Sequence, residues 1–249
     1  AYYLLYEKLK AAGTLPEFVG YDHLTTPDGR CLGVIPPSAD RPTLQAIFSK
    51  TPFYGESGGQ VGDRGWVRSV DAKGKIDFEG EVVDVQRPLP KLIVIHIRPI
   101  QGELHVGDIF RQEVEPERRL LIAKNHTATH LLHWALREVL GPHVKQAGSL
   151  VNADLLRFDF SHFHPMTPDE VSRVESLINE KIWKAQPVSK QVMPKDTALA
   201  SGAIAFFGEK YGNEVRVVKI GEFSTELCGG THVEDSSDIH FFKIANESG

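Results

Sequence analysis

Two residue pairs, far apart in the chain, have the types and spacing to hold one metal ion. The first is His126 and His130, in His126-Thr127-Ala128-Thr129-His130, and the second is Cys228 and His232, in Cys228-Gly229-Gly230-Thr231-His232. Residues four apart on a helix project from one face with neighbouring Cβ atoms, so two imidazoles at that spacing can share an ion. In the second pair two glycines let a loop fold tightly enough to turn both side chains inward. Cysteine with histidine is a donor mixture that suits zinc, and the specificity lies in the combination of two independent pairs. His133 shares roughly the same helix face. Thr129, Gln146 and the amides of Gly229 and Gly230 stand near enough in sequence to donate or accept hydrogen bonds around the ion. If all four residues bind, however, the tetrahedral shell is closed, as in structural sites, whereas a hydrolytic zinc keeps a position open.

The elements that must position these residues follow from periodicity. Arg119 to Leu140 places Leu120, Ala123, Ala128, Leu131, Leu132, Ala135, Leu136 and Val139 at helical intervals and stops before Gly141-Pro142, which predicts a long helix carrying the histidine pair. A second helix is marked by Thr167 as N-cap, Pro168 at the first position and Glu170 at the third. Val144–Val151, Leu155–Phe160, Val188–Met193, Val215–Ile220 and Ile239–Ile244 read as strands. Upstream, Tyr2 to Ala12 predicts a short lead-in helix closed by Gly13. Arg30–Ile35, Gly65–Val70, Lys75–Val85 and Lys91–Ile97 then read as strands, with Pro27-Asp28-Gly29 and Ala72-Lys73-Gly74 as turns. The expected fold class is α+β, a small β-barrel followed by an α+β core that contains zinc. The domains expected are a lead-in helix over 1–18, a barrel over 19–115 and the zinc-containing domain over 116–249.

Composition narrows the function classes. The 249 residues are 41% hydrophobic and 24% charged, enough to build one large core or two smaller ones. No apolar run approaches the roughly 20 residues of a membrane helix, and Glu7, Lys8 and Lys10 interrupt the apolar start, unlike a signal peptide. A cytoplasmic protein without a membrane partner is expected. Two cysteines, Cys31 and Cys228, are too few for a disulfide framework. A net charge of −5 argues against gripping nucleic acid by bulk charge alone, although Arg118, Arg119, Lys124, Lys145 and Arg157 could form a local phosphate-contacting patch. The absence of an initial Met and the ending at Gly249 suggest a piece of a longer protein.

In order along the chain, H-T-A-T-H-L-L-H, H-V-K-Q-A-G-S-L-V, L-R-F-D-F and E-L-C-G-G-T-H resemble the editing domain of alanyl-tRNA synthetase and its free-standing relatives. The stretch T-P-F-Y-G-E-S-G-G-Q-V-G-D is similar to the barrel that precedes this domain in the full synthetase of bacterial type. Free-standing relatives usually carry a more glycine-rich F-Y-P-G-G-G-G-Q. The resemblance implies the alanyl/threonyl-tRNA synthetase editing type of core and zinc (Zn2+) held by His126, His130, Cys228 and His232. It implies hydrolysis of Ser-tRNA(Ala) and Gly-tRNA(Ala), with the acceptor end of tRNA(Ala) and the remaining synthetase domains as partners. Carried over by position, Thr129 and Gln146 match residues linked to substrate recognition and hydrolysis; the expectation is that Thr129 senses the serine hydroxyl, Gln146 orients the ester or terminal ribose, and the Gly229 and Gly230 amides receive the developing oxyanion. The loop Ser57-Gly58-Gly59-Gln60 is expected to reach the editing pocket.

Two other readings compete. A zinc-stabilised tRNA-binding module would need the same ligands and no chemistry. A small-molecule metallohydrolase is disfavoured because Thr127 stands where H-E-x-x-H has its glutamate, which removes the usual general base beside the metal.

Overall fold

Strands rich in branched residues and punctuated by glycine build the first half of the chain. In the computed structural model, which describes residues 2–70, 73–205 and 212–248, they close a six-stranded barrel. A helix α1 (Tyr2–Ala11) leads into β1 (Glu17–Phe18), β2 (Thr25–Ile35), β3 (Leu44–Phe48), β4 (Lys50–Thr51), β5 (Gly65–Val70), β6 (Ile76–Leu89), β7 (Leu92–Gln101) and β8 (Ile109–Val114). The barrel order is β2-β3-β7-β6-β5-β8, all antiparallel, with β1 and β4 forming a separate parallel pair. Along β6, Phe78 and Val82 point inward with period two. A register shift between Val82 and Asp84 then turns Val85 inward as well, as a bulge does by inserting one residue. Phe110 packs edge-on against Phe48 and Phe78 at 5.7 and 5.6 Å, filling the lumen.

Strand β7 is buried on both faces. Ile93, Ile95 and Ile97 join the barrel core, while Leu92 and Val94 join Ile47 and Leu9 beneath α1. The lead-in helix is therefore packed onto the barrel by the apolar stripe that its sequence displays.

The remaining elements are α2 (Pro116–Leu140), β9 (Gln146–Val151), β10 (Leu156–Phe160), α3 (Pro168–Trp183), β11 (Val188–Pro194), α4 (Lys195–Ala200), β12 (Glu214–Ile220), β13 (Ser224–Leu227) and a 3-10 turn at Ser236–Ile239. β9 and β10 form a hairpin, and β11-β12-β13 an antiparallel sheet. The start of α3 follows the sequence signal: Glu170 N donates to Thr167 Oγ1 at 3.3 Å, and Thr167 N donates to Glu170 Oε2 at 2.8 Å. Such a cap contributes about 1 kcal/mol. Val174, Ile178 and Ile182, four apart, bury the other face of α3 in a core with Leu131, Ala135 and Leu136 of α2.

By contacts the chain divides into two units, Ala1–Ser57 with Val61–Arg119, and Gly58–Gln60 with Leu120–Gly249. The three residues Gly58–Gln60 thus belong with the second half, although they lie between β4 and β5 in sequence.

Three sequence expectations need correction. Pro27-Asp28-Gly29 is no turn between strands but lies inside β2, where the register against β8 shifts between Thr26 and Gly29. Ile239–Ile244 is not a strand: Asn179 of α3 captures this backbone, accepting from Phe242 N and donating to Phe242 O, both at 2.9 Å. Leu120, placed on the buried face of α2, is 49% exposed, because that face begins with Ile122 and Ala123. Of the expected turn at Ala72-Lys73-Gly74, Ala72 lies outside the described residues; Gly74 adopts a positive φ of 78°.

Candidate metal centre

Helix α2 presents His126 and His130 one turn apart, and the loop after β13 presents Cys228 and His232. One donor atom from each lies within 4.8 Å of the others. These donor atoms are buried, while Cys228 as a residue keeps partial exposure. Cys228 Sγ stands 3.3 Å from both His126 Nε2 and His232 Nε2. A tetrahedral zinc with bonds of 2.0 to 2.3 Å has ligand-to-ligand edges of about 3.3 to 3.7 Å. The residues present therefore fit a zinc ion in donor chemistry, and the two edges at Cys228 also match it in length, within a cluster whose donor atoms all lie within 4.8 Å of one another.

Each imidazole has its Nδ1 engaged by a different side chain, which fixes its tautomer and leaves Nε2 for an ion. His126 Nδ1 donates to Gln60 Oε1 at 2.7 Å. His130 Nδ1 meets Glu226 Oε2 at 2.5 Å. His232 Nδ1 lies 3.1 Å from Thr127 Oγ1, whose own proton goes to Ala123 O at 2.9 Å, so the hydroxyl accepts from the ring. Thr127 thereby has a use that its place in the motif did not reveal. His133, one further turn along α2, donates to the second oxygen of Glu226 at 2.6 Å and so supports His130 through a shared carboxylate.

The charges of the site are set by its own groups: burial opposes the charge on His130, but Glu226 and Cys228 raise its pKa to about 10. Burial opposes ionisation of Cys228, but His126, His232 and His130 around it hold its thiol well below the ordinary range. Burial drives His232 down to about 3, keeping it a neutral ligand. Burial also works against the charge on Glu226, yet His130 and His133 overcome it and keep this carboxylate ionised.

The loop geometry depends on glycine. A Cβ on Gly230 would lie 2.0 Å from His126 Cε1 and 2.9 Å from Gln60 Oε1, so no larger residue fits beside the ring. Gly230 N donates to Cys228 Sγ at 3.4 Å, and Arg216 Nη1 ties down the carbonyls of Cys228 and Gly230 at 3.1 and 2.8 Å. Gly229 is the exposed one of the two.

The remaining sequence candidates occupy diverse settings. Thr129, nearly buried at 6% exposure, donates its hydroxyl proton to Asn125 O at 2.8 Å. Gln146, at the start of β9, donates to Ser149 Oγ at 3.3 Å. Arg119 is unsuited to phosphate contact: it is buried, paired in a bidentate fashion with the buried Asp63, and donates to the carbonyls of Gly20 and Pro52 at 2.6 and 2.8 Å. Its charge signals a structural clamp of the first unit, which sequence could not tell from a surface cation. Arg118 donates to Gly62 O at 2.9 Å, and Arg157 pairs with Asp159 at 3.0 Å. Lys124 reaches His240 Nδ1 at 3.3 Å, and Lys145 is exposed. The side chains around the candidate ligands missed from sequence are Glu226, Thr127 and, as an individual residue, Gln60. Glu226 sits two residues before Cys228 in a strand with inward alternation, a buried acid that only its motif context could have flagged.

Residues 32–118 match the family model described as tRNA synthetases class II (A), and residues 215–249 match the threonyl and alanyl tRNA synthetase second additional domain. Fold and matches together give a small barrel similar to class II tRNA synthetases followed by an α+β core of the editing type, which carries the candidate metal cluster. The chain is 48% identical over 238 residues to the alanine–tRNA ligase of Enterococcus faecalis, covering 94% of this chain and 26% of the relative. It is 47% identical over 239 residues to that of Methylococcus capsulatus (94% and 27%), and 52% identical over 207 residues to that of Myxococcus xanthus (83% and 23%). The resemblance to alanyl-tRNA synthetase of bacterial type thus extends across both the barrel and the editing-type core, and the chain spans about a quarter of the length of these relatives. No helix among the described residues is long and apolar enough to cross a membrane.

Proposed function

We propose that this chain hydrolyses the ester bond of Ser-tRNA(Ala) and Gly-tRNA(Ala), as the editing part of a synthetase whose whole form attaches alanine to tRNA(Ala) using ATP. The observation that carries this reading is the cluster of His126, His130, Cys228 and His232 within a chain 48% identical to an alanine–tRNA ligase. Physical chemistry supplies the need. A pocket made for alanine cannot exclude glycine by size and rejects an added hydroxyl by only about 10²-fold, so a second site must remove the errors.

In this reading the four ligands hold zinc, which with a closed shell supplies a rigid positive anchor joining α2 to the loop at 228–232. Thr129 then discriminates. Its proton is committed to Asn125 O, so its oxygen can only accept, and a serine hydroxyl can donate to it while alanine offers nothing. The amide of Gln146 donates to Ser149, leaving its carbonyl oxygen to accept from the ribose hydroxyls or the attacking water. The amides of Gly229 and Gly230 receive the developing oxyanion, with Gly230 N also donating to Cys228 Sγ at 3.4 Å. The partners are the acceptor end of tRNA(Ala), met by exposed cations such as Lys145, and the other domains of the synthetase.

The competing module without catalysis is favoured by one feature, the complement of four protein ligands, which leaves a tetrahedral metal no open position. One assay separates the two. The chain is incubated with Ser-tRNA(Ala), Gly-tRNA(Ala) and Ala-tRNA(Ala), beside Thr129→Val and Gln146→Ala. Editing predicts release of serine and glycine well above the spontaneous rate, with alanine spared and Thr129→Val losing serine selectivity. Release at the spontaneous rate from every substrate refutes the hydrolase and leaves the binding module.

A further inference from the structure

Gln60 has no exposure at all, comes from a loop far from the metal ligands in sequence, and directs every polar atom of its side chain at the two ligand segments. Its Oε1 accepts from His126 Nδ1 at 2.7 Å and from Thr231 N at 2.9 Å, while its Nε2 donates to Thr231 Oγ1 at 3.0 Å. One amide thus grips a ligand on α2 and the backbone of the segment between the other two ligands. We propose that Gln60 is a positioning residue of the metal centre: it fixes His126 in the Nδ1–H tautomer and sets the register of Cys228-Gly229-Gly230-Thr231-His232 against α2. The inference rests on the metal reading given above.

The surroundings over-determine the placement of Gln60. It forms a parallel bridge with Val151, and Val151 N donates to Gly59 O at 2.8 Å, so the backbone of the loop is pinned to the end of β9. Gly59, at a positive φ of 81°, lies so close to Ser149 that a Cβ would meet its Oγ at 2.1 Å. A side chain this constrained has little rotamer freedom left to lose, and its amide cannot turn without breaking a bond: if flipped, the NH2 group would face the donors His126 Nδ1–H and Thr231 N–H. The role therefore requires an acceptor at the Oε1 position and only secondarily a donor at Nε2. Outer partners of metal-bound histidines typically carry a factor of about 10 to 100 in metal affinity.

The experiment compares the parent chain with Gln60→Met and Gln60→Glu. Zinc affinity is read by competition with a chromophoric chelator, the thiolate and ligand-field bands of the Co2+ form report geometry, and near-ultraviolet circular dichroism confirms the fold. Gln60→Met is expected to bind zinc about 10- to 100-fold more weakly with altered cobalt bands, and Gln60→Glu, which keeps the acceptor, to restore both. Histidine-ring 15N NMR of the zinc-loaded parent adds a readout that survives misfolding of any variant: His126 should be protonated at Nδ1 and metallated at Nε2. Binding by Gln60→Met within twofold of the parent with unchanged cobalt bands, or metallation of His126 at Nδ1, overturns the proposal. A parent chain that takes up no zinc overturns the metal reading itself, and this assignment with it.

Discussion

Replacing Glu226 by leucine should be among the most damaging single changes in the second unit. The carboxylate is 2% exposed, accepts from His133 Nδ1 at 2.6 Å and pairs with His130 Nδ1 at 2.5 Å. Leucine removes both acceptors and leaves two buried donors to be desolvated without return, at about 1 to 3 kcal/mol each, or about 2 to 6 kcal/mol together. A domain of this size has only about 5 to 15 kcal/mol of stability, so a large share of it is at stake. With roughly 4 °C lost per kcal/mol, the melting midpoint should fall by about 8 to 24 °C. Glu226→Gln keeps one acceptor oxygen and should lose about half as much. The assay is thermal unfolding by circular dichroism, with zinc and with chelator, beside Glu222→Gln as a control, whose side chain is 90% exposed and should change stability by less than about 0.5 kcal/mol. A Glu226→Leu midpoint within about 2 °C of the parent under both conditions would refute the claim that this carboxylate holds two histidines.

Other expectations concern the loop and the barrel. Gly230→Ala places a methyl group against the His126 ring, so zinc affinity in a chelator competition should drop at least tenfold; unchanged affinity would mean the loop can retreat without losing its ligands. His96 in the barrel is half-buried between Thr43 and Gln45, and burial, with Arg41 nearby, lowers its pKa against the opposing pull of Asp84. Because its folded pKa lies below the unfolded value near 6.5, its contribution to stability is fully present above pH 6.5 and declines as the pH falls below that value. Urea unfolding should show the parent losing stability between pH 7.5 and 5.5, and His96→Gln losing less; equal slopes would dismiss this histidine as a source.

How much of this was legible in sequence depended on whether a signal was local. The capping box of α3 and the histidine spacing of α2 lie within single turns, so they carried over into structure directly. Ile239–Ile244 misled because a strand-like run of branched and aromatic residues meets no strand partner; the side chain of Asn179, some sixty residues earlier, supplies the hydrogen bonds that a ladder would have given. Arg119 misled in the opposite sense, since a cation beside a metal motif reads as a phosphate contact until its buried acid, Asp63, is found 56 residues upstream. The four residues that could hold a metal were readable from residue type, but the side chains that orient them were not. Gln60, Glu226 and Thr127 are ordinary residues whose meaning arises from contacts at separations of 66, 93 to 96 and 105 residues.

The placement of Gly58–Gln60 in the second unit has a consequence for the order of folding. On a growing chain, β2 to β8 can pair as soon as they are made, and the loop between β4 and β5 emerges with them. Its glutamine then faces a wait, for Thr231 is made 171 residues later. At about 5 to 20 residues per second of synthesis, that interval is about 9 to 34 seconds, far longer than a small barrel needs to form. The second unit therefore closes around a segment already tethered at both ends by earlier strands. A cut between β8 and α2 does not release it whole, because Gln60, which faces its candidate metal centre, would stay behind.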